Sequence, residues 1–183
     1  MARFLNIIFI IILFFGCQKS PDFVIIETDY GSFTIEVDYN SAPKHSENFV
    51  KLVKEGFYNG LFFHRIVPGT LVQGGDPYSK DEDPYNDGLG GPGYLIDQEI
   101  KLRHIPGAVG AARIKGPANP ELKSNGSQFY ICLDQIPLYD GAYTVFGKVV
   151  ENLEILEKIS WEPVDFNDKP KKPILIKRAY LKE

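Results

Sequence analysis

Apolar and polar residues alternate in short stretches along most of this chain. Phe23-Val24-Ile25-Ile26-Glu27-Thr28 reads as a strand, and Ser32–Val37 reads as another, with Phe33, Ile35 and Val37 on one face. The turn Asp29-Tyr30-Gly31 between them predicts a hairpin. Leu61–Val67 and Leu71–Gln73 predict two further strands joined by Pro68-Gly69. Ala108–Ala112, Gln128–Leu133, Tyr143–Val149 and the apolar run Pro173–Tyr180 predict the rest. Two segments carry helical spacing instead. One opens at Pro43, where a missing N–H costs nothing, shows Phe49, Leu52 and Val53 on one face, and stops at Gly56. His45 on this helix is expected at the surface. The other is Glu151–Ile159, with Leu153, Leu156 and Ile159 inward. Many short strands and two brief helices predict one mainly β domain, an antiparallel sheet closed into a barrel.

The polar, turn-rich stretch Pro77–Gly93 and the segment Lys115–Asn125 are loops. Asp81, Glu82, Asp83 and Asp87 lack the regular spacing of a calcium loop, so they read as solvated acid. The N-terminus breaks the pattern. After Arg3 an apolar run extends from Phe4 to Phe15, interrupted only by Asn6. A membrane span needs about 20 residues, and this run fits the apolar core of a secretory signal better. It ends at Gly16-Cys17 and turns polar at Gln18-Lys19-Ser20-Pro21. A small residue followed by Cys resembles the lipobox of bacterial lipoproteins. That resemblance implies a signal peptide at 1–16, lipidation of Cys17, a tether at 17–21 and a folded domain at 22–183. Gln18 after the Cys implies, by the same resemblance, a periplasm-facing anchor in the outer membrane. The other reading is an ordinary cleaved signal with Cys17 incidental.

At 183 residues the chain is long enough to bury a core in a single domain. A net charge of −4 without a basic patch gives no reason to expect nucleic-acid binding. With Cys17 lipidated, Cys132 is left alone, so no internal disulfide supports the fold. Cys132 lies in the apolar run Phe129–Leu133 and reads as a small buried hydrophobe. No Gly-x-Ser-x-Gly elbow is present, and His64 and His104 have no nucleophilic neighbour, which argues against a hydrolase. The three histidines lack metal spacing. Gly88, Gly90, Gly91 and Gly93 do not follow a strand and open a helix, so a phosphate cradle is not expected. Neither metal nor cofactor is implied. Hydrogen-bond donors on an apolar surface remain, which suits binding or a reaction that breaks no covalent bond.

Phe63-His64-Arg65-Ile66-Val67-Pro68-Gly69, followed by Gln73-Gly74-Gly75-Asp76, resembles the signature of the cyclophilins, the cyclosporin-binding class of peptidyl-prolyl isomerases. The likeness extends through Ala42-Pro43-Lys44 to Phe49, Gly90–Tyr94, Ala111-Ala112-Arg113, Ser124–Ile131 and Asp140–Val149, in family order. It implies an eight-stranded antiparallel barrel capped by two helices, acting as a monomer on Xaa-Pro-containing polypeptides, with the site on the outer wall.

By this resemblance Arg65 donates a hydrogen bond to the twisting prolyl amide, and Gln73 holds Arg65 or the substrate backbone. His64, Leu71, Ala112, Arg113, Gln128, Tyr130, Tyr139 and Tyr143 are the implied substrate-binding residues. Strand alternation sets Phe129 and Ile131 opposite Gln128 and Tyr130, so Phe129 is expected in the core. Thr70 stands where the family usually has Phe, Tyr130 where Phe is usual, and Tyr139 where Leu is usual, so Tyr139 is expected to refill space at Thr70. Leu138 replaces the Trp of cyclosporin-sensitive members, which implies poor cyclosporin binding. A binding module or holdase using the same groove is the alternative to an isomerase.

Overall fold

The computed structural model describes residues 20–183 except residues 82, 84 and 115. The expected signal peptide and Cys17 lie outside the described residues. The chain runs β1 (Phe23–Thr28), β2 (Gly31–Val37), α1 (Pro43–Lys54), β3 (Arg65–Val67), β4 (Leu71–Gly74), β5 (Leu95–Ile96), β6 (Ala108–Ala111), β7 (Ser124–Asn125), β8 (Phe129–Cys132), β9 (Val145–Glu151), α2 (Leu153–Ser160) and β10 (Ile176–Leu181). Eight strands form one antiparallel sheet in the order β10-β1-β2-β9-β6-β8-β4-β3. Every strand expected from alternation is present within a few residues. The two-residue pair β5 and β7 was too short to leave a pattern.

The sheet curls as a half-barrel, which corrects the expected closed barrel. β3 and β10 end the ladder and do not pair. Irregular backbone spans the gap. Gly60 N–H donates to Ile176 O (2.8 Å), Ile176 N–H to Leu61 O (2.8 Å) and Phe63 N–H to Ile174 O (3.0 Å). Pro170 and Pro173 lack the donors that a regular ladder needs here.

The concave face holds the main core. Val24, Ile26, Phe33, Ile35, Ile66, Val72, Val109 and Ile131 are fully buried against Phe49 and Leu52 of α1 and Leu156 and Ile159 of α2. Phe129 belongs to this core, edge-on to Phe49 (5.7 Å) and Tyr58 (5.6 Å). Truncating such a ring to Ala costs about 3–5 kcal/mol. A smaller cluster forms on the outer face from Leu71, Ala108, Ala112, Tyr130, Cys132, Tyr143 and Val145. Cys132 is fully buried there, and burial pushes its thiol up to about 12. This outer cluster supports the candidate site.

His45 is buried, not at the surface as expected. Its partner comes from far along the chain. Glu99 Oε2 accepts from the His45 ring Nδ1 (2.7 Å) and the His45 backbone N–H (3.0 Å), while Oε1 accepts from Lys44 N–H (3.1 Å). Glu99 thereby satisfies open N–H groups of the α1 N-terminus, where Ala42 offers no side-chain cap.

Candidate active site

The register of three strand pairs builds the site. Arg65 lies opposite Gln73, Gln73 opposite Tyr130, and Tyr130 opposite Gly110. Alternation puts this whole row on the outer face, because its neighbours Ile66, Val72 and Ile131 face the core. Gly110 is required here. A Cβ at that position would overlap the Tyr130 ring, so its absence lets the ring lie across β6.

A cavity of about 180 Å³ opens over this row, lined by Arg65, Leu71, Gln73, Ala112, Arg113, Tyr130, Tyr139 and Tyr143. The structure therefore brings together all but two of the residues named from the sequence. Gln128 is buried behind the cavity. It accepts from Gln73 Nε2 (3.1 Å) and donates to the carbonyls of Gly88 (2.9 Å) and Gly90 (2.7 Å), so it holds Gln73 and does not face the groove. His64 points elsewhere and lines a separate cavity of about 270 Å³ with Phe63, Ser79, Asp87 and Lys169. Burial lowers its pKa against the pull of Asp76 and Asp87. Adjacent residues on an extended chain face opposite ways, which separates His64 from Arg65.

Arg65 Nη1 donates to Gln73 Oε1 (3.4 Å) and Nη2 to Asp168 Oδ2 (3.3 Å). Two of the five guanidinium N–H groups are thus engaged, which leaves three available. Tyr130, Tyr139 and Tyr143 give the cavity an aromatic floor. Tyr139 and Tyr143 lie 4.7 Å apart, and Tyr130 meets Tyr139 edge-on at 5.7 Å. Arg113 caps this cluster, with its guanidinium 4.3 Å from the Tyr143 ring centre and Nη1 donating to Ala142 O (2.7 Å). Thr70 is half-buried outside the cavity lining, its hydroxyl donating to Pro68 O (3.3 Å).

Tyr130 is held by residues that the sequence did not reveal. Its hydroxyl lies 2.8 Å from His104 Nε2, and His104 Nδ1 lies 2.9 Å from Asp140 Oδ1. Burial drives the Tyr130 phenol well above its usual pKa, so it keeps its proton and donates to Nε2. Nδ1 then donates to Asp140, whose pKa is held down by hydrogen bonds from the His104 backbone and ring. Asp168 and Asn125 were also missed. Asn125 Oδ1 accepts from the backbone N–H groups of Ser127 (2.9 Å) and Gln128 (3.0 Å), fixing the approach to β8. The dipeptide Asp140-Gly141 was a readable turn signal, but nothing local linked it to His104.

Among the described residues no group of three or more His, Cys, Asp or Glu is placed to hold a metal. A larger groove of about 420 Å³ lies beside Val37, Tyr39, Leu102, Ile105 and Val145. Its lining contains none of the residues of the Arg65–Gln73–Tyr130 row.

Comparison with known proteins agrees with this geometry. Residues 23–181 match the family described as cyclophilin type peptidyl-prolyl cis-trans isomerase/CLD. A peptidyl-prolyl cis-trans isomerase of Helicobacter pylori is 41% identical over 142 residues, covering 75% of this chain and 79% of that protein. The Arabidopsis thaliana isomerase CYP18-2 is 36% identical over 167 residues, covering 88% and 94%. The crystal structure of a Cryptosporidium parvum cyclophilin type isomerase superposes with a TM-score of 0.78 at 32% identity, covering 89% of this chain and 98% of that one. The chain belongs to the cyclophilin-type peptidyl-prolyl cis-trans isomerases. Its activity is the interconversion of cis and trans peptide bonds that precede proline.

Proposed function

We propose that this isomerase works by donating a hydrogen bond from Arg65 to the prolyl nitrogen as the amide twists. Resonance sets a barrier of about 18–20 kcal/mol to rotation of the planar bond. At 90° of twist the nitrogen regains a lone pair that the planar amide does not offer. A donor aimed at that lone pair favours the transition state over both ground states, which is the requirement for catalysis. The observation that carries this reading is the Arg65 guanidinium beside the aromatic cavity, fixed on two nitrogens with other N–H groups free. Leu71, Tyr130 and Tyr139 receive the proline ring, and Tyr143 forms the far wall. Ala112 and Arg113 meet the residues before proline. The Cryptosporidium parvum protein has also been crystallised in the presence of the dipeptide Ala-Pro, which supports a proline peptide as the occupant.

Exchange spectroscopy on a Xaa-Pro peptide tests the role of Arg65. Wild type accelerates exchange, and Arg65→Ala is expected to lose about 10²–10³-fold of that acceleration, the range for removing one preorganised donor. An Arg65→Ala protein as fast as wild type would remove Arg65 from the mechanism.

The proposed setting is the envelope of a bacterium, with the domain anchored through lipid on Cys17 and clients folding outside the cytoplasm. The motif Gly16-Cys17 after an apolar run supports it. Among the described residues no helix is long and apolar enough to cross a membrane. Radiolabelled fatty acid should enter the wild-type protein and not Cys17→Ser. Equal incorporation in both would contradict the anchor.

A further inference from the structure

Arg65 is gripped from two sides, and both grips lead back to one loop. On one side the chain of contacts runs from Arg65 to Gln73, to Gln128, and on to the carbonyls of Gly88 and Gly90. On the other side Arg65 Nη2 meets Asp168, and the next residue, Lys169, pairs with Asp87 at 2.5 Å. Asp87 immediately precedes Gly88. The loop between is tied shut by the fully buried carboxylate of Asp76, which accepts backbone N–H groups from Tyr78 (2.8 Å), Gly88 and Gly90. A Cβ at Gly90 would overlap that carboxylate, so the closure depends on glycine.

Asp168 is itself held in place. Its backbone sits in the left-handed region at φ 64°, and its carbonyl accepts from Ile66 N–H (2.8 Å), next to Arg65. The Asp165 carboxylate ties the turn by accepting from Asn167 N–H (2.8 Å) and Lys169 N–H (3.0 Å). The turn therefore presents one carboxylate to one guanidinium nitrogen from a braced frame.

We propose that Asp168 is a positioning residue of the isomerase site: with Gln73 it fixes the plane of the Arg65 guanidinium. A guanidinium held by Gln73 alone pivots about a single hydrogen bond. A second acceptor on a different nitrogen removes that freedom, so the remaining N–H groups stay aimed at the groove. The Lys169–Asp87 pair stops the turn from swinging away. This inference rests on Arg65 being the donor.

The test compares wild type with Asp168→Asn, Asp168→Gly, Arg65→Ala and the double variant Arg65→Ala/Asp168→Gly. Glycine and asparagine both accept the left-handed backbone, so neither change strains the turn. Asp168→Gly is expected to lower kcat for a Xaa-Pro peptide about ten-fold with KM little changed, and Asp168→Asn, which keeps an acceptor, should recover most of the loss. In the Arg65→Ala background, removal of Asp168 should have no further effect. In nitrogen-resolved NMR the Arg65 Nη–H signals, separate in wild type, should average together in Asp168→Gly. If Asp168→Gly matches wild type while Arg65→Ala is impaired, the proposal fails and the role of Arg65 stands. A further loss in the double variant would also overturn it, because Asp168 would then act by another route. If Arg65→Ala matches wild type, both ideas fall.

Discussion

Tyr130 shows what a single hydroxyl changes at this site. Its ring floors the cavity while its oxygen is tied to His104 and, through it, to Asp140. Tyr130→Phe keeps the ring but leaves buried His104 Nε2 without a partner, which costs about 1–3 kcal/mol. Urea unfolding of Tyr130→Phe is expected to show that loss, with peptide affinity within about two-fold of wild type because the ring stays in place. An equally stable variant would show that the His104 contact contributes nothing. The Arg65–Asp168 pair behaves differently. Both side chains are more than a third exposed, so the pair contributes only about 0–1 kcal/mol to stability, and the consequence proposed for it lies in orientation. The cavity-lining residues were legible in the sequence because they fall in or beside the segments that resemble the family, Arg65, Leu71, Gln73 and Tyr130 on strands and Ala112, Arg113, Tyr139 and Tyr143 in the connections. Asp168 and Asp140 were not, since they reach their partners across 103 and 36 positions and no local pattern records such a pairing. His64 and Gln128 were named for their place in those motifs, and strand direction and burial turn both away from the groove.

Elements were read most reliably where periodicity was strong. β1, β2 and α1 fall where alternation and Pro43 put them, because Val24 and Ile26, Phe33, Ile35 and Val37, and Phe49, Leu52 and Val53 bury in the core. α2 was also legible, with Leu156 and Ile159 fully buried as the 3.6-residue spacing requires. The errors arose where an element depends on a distant segment. His45 is polar by type and expected outside, yet Glu99 pairs with its Nδ1 in place, and the same carboxylate serves the helix N-terminus. Burial depresses the pKa of His45 against the pull of Glu99. For Glu99 itself burial acts upward, but hydrogen bonds from His45 and Lys44 prevail and lower it. The closed barrel was a similar error. Alternation suggested strands from Leu61 to Val67 and from Pro173 to Tyr180, while the backbone between them pairs only irregularly and leaves β3 and β10 as ends.

For the whole molecule two buried histidines, His45 and His64, set a pH dependence. His45 and His64 both have folded pKa values lowered from 6.5, chiefly by burial. Below that value the unfolded chain takes up protons that the folded chain resists, so ν is larger in the unfolded state and stability falls as pH falls. Glu99 and Asp140, with lowered pKa values, extend the loss into more acid solution. Unfolding free energy should therefore be greater at pH 7.5 than at pH 5.5, approximate settings on either side of the histidine range. A protein more stable at the lower value would contradict this account of the two histidines. In the proposed mechanism Gln73 of β4 and Asp168 of the C-terminal turn aim the Arg65 guanidinium on the outer face of the half-barrel.

That aim is the central claim, and Arg65→Lys tests it most directly. Lysine keeps the charge but not the planar fork that Gln73 and Asp168 hold. The measurement is isomer exchange in a Xaa-Pro peptide alongside the dissociation constant of the same peptide. The account predicts affinity within about two-fold of wild type and an acceleration reduced by about 10²-fold. Exchange at the wild-type rate would mean that any nearby cation suffices, and would contradict a fixed donor to the twisted amide.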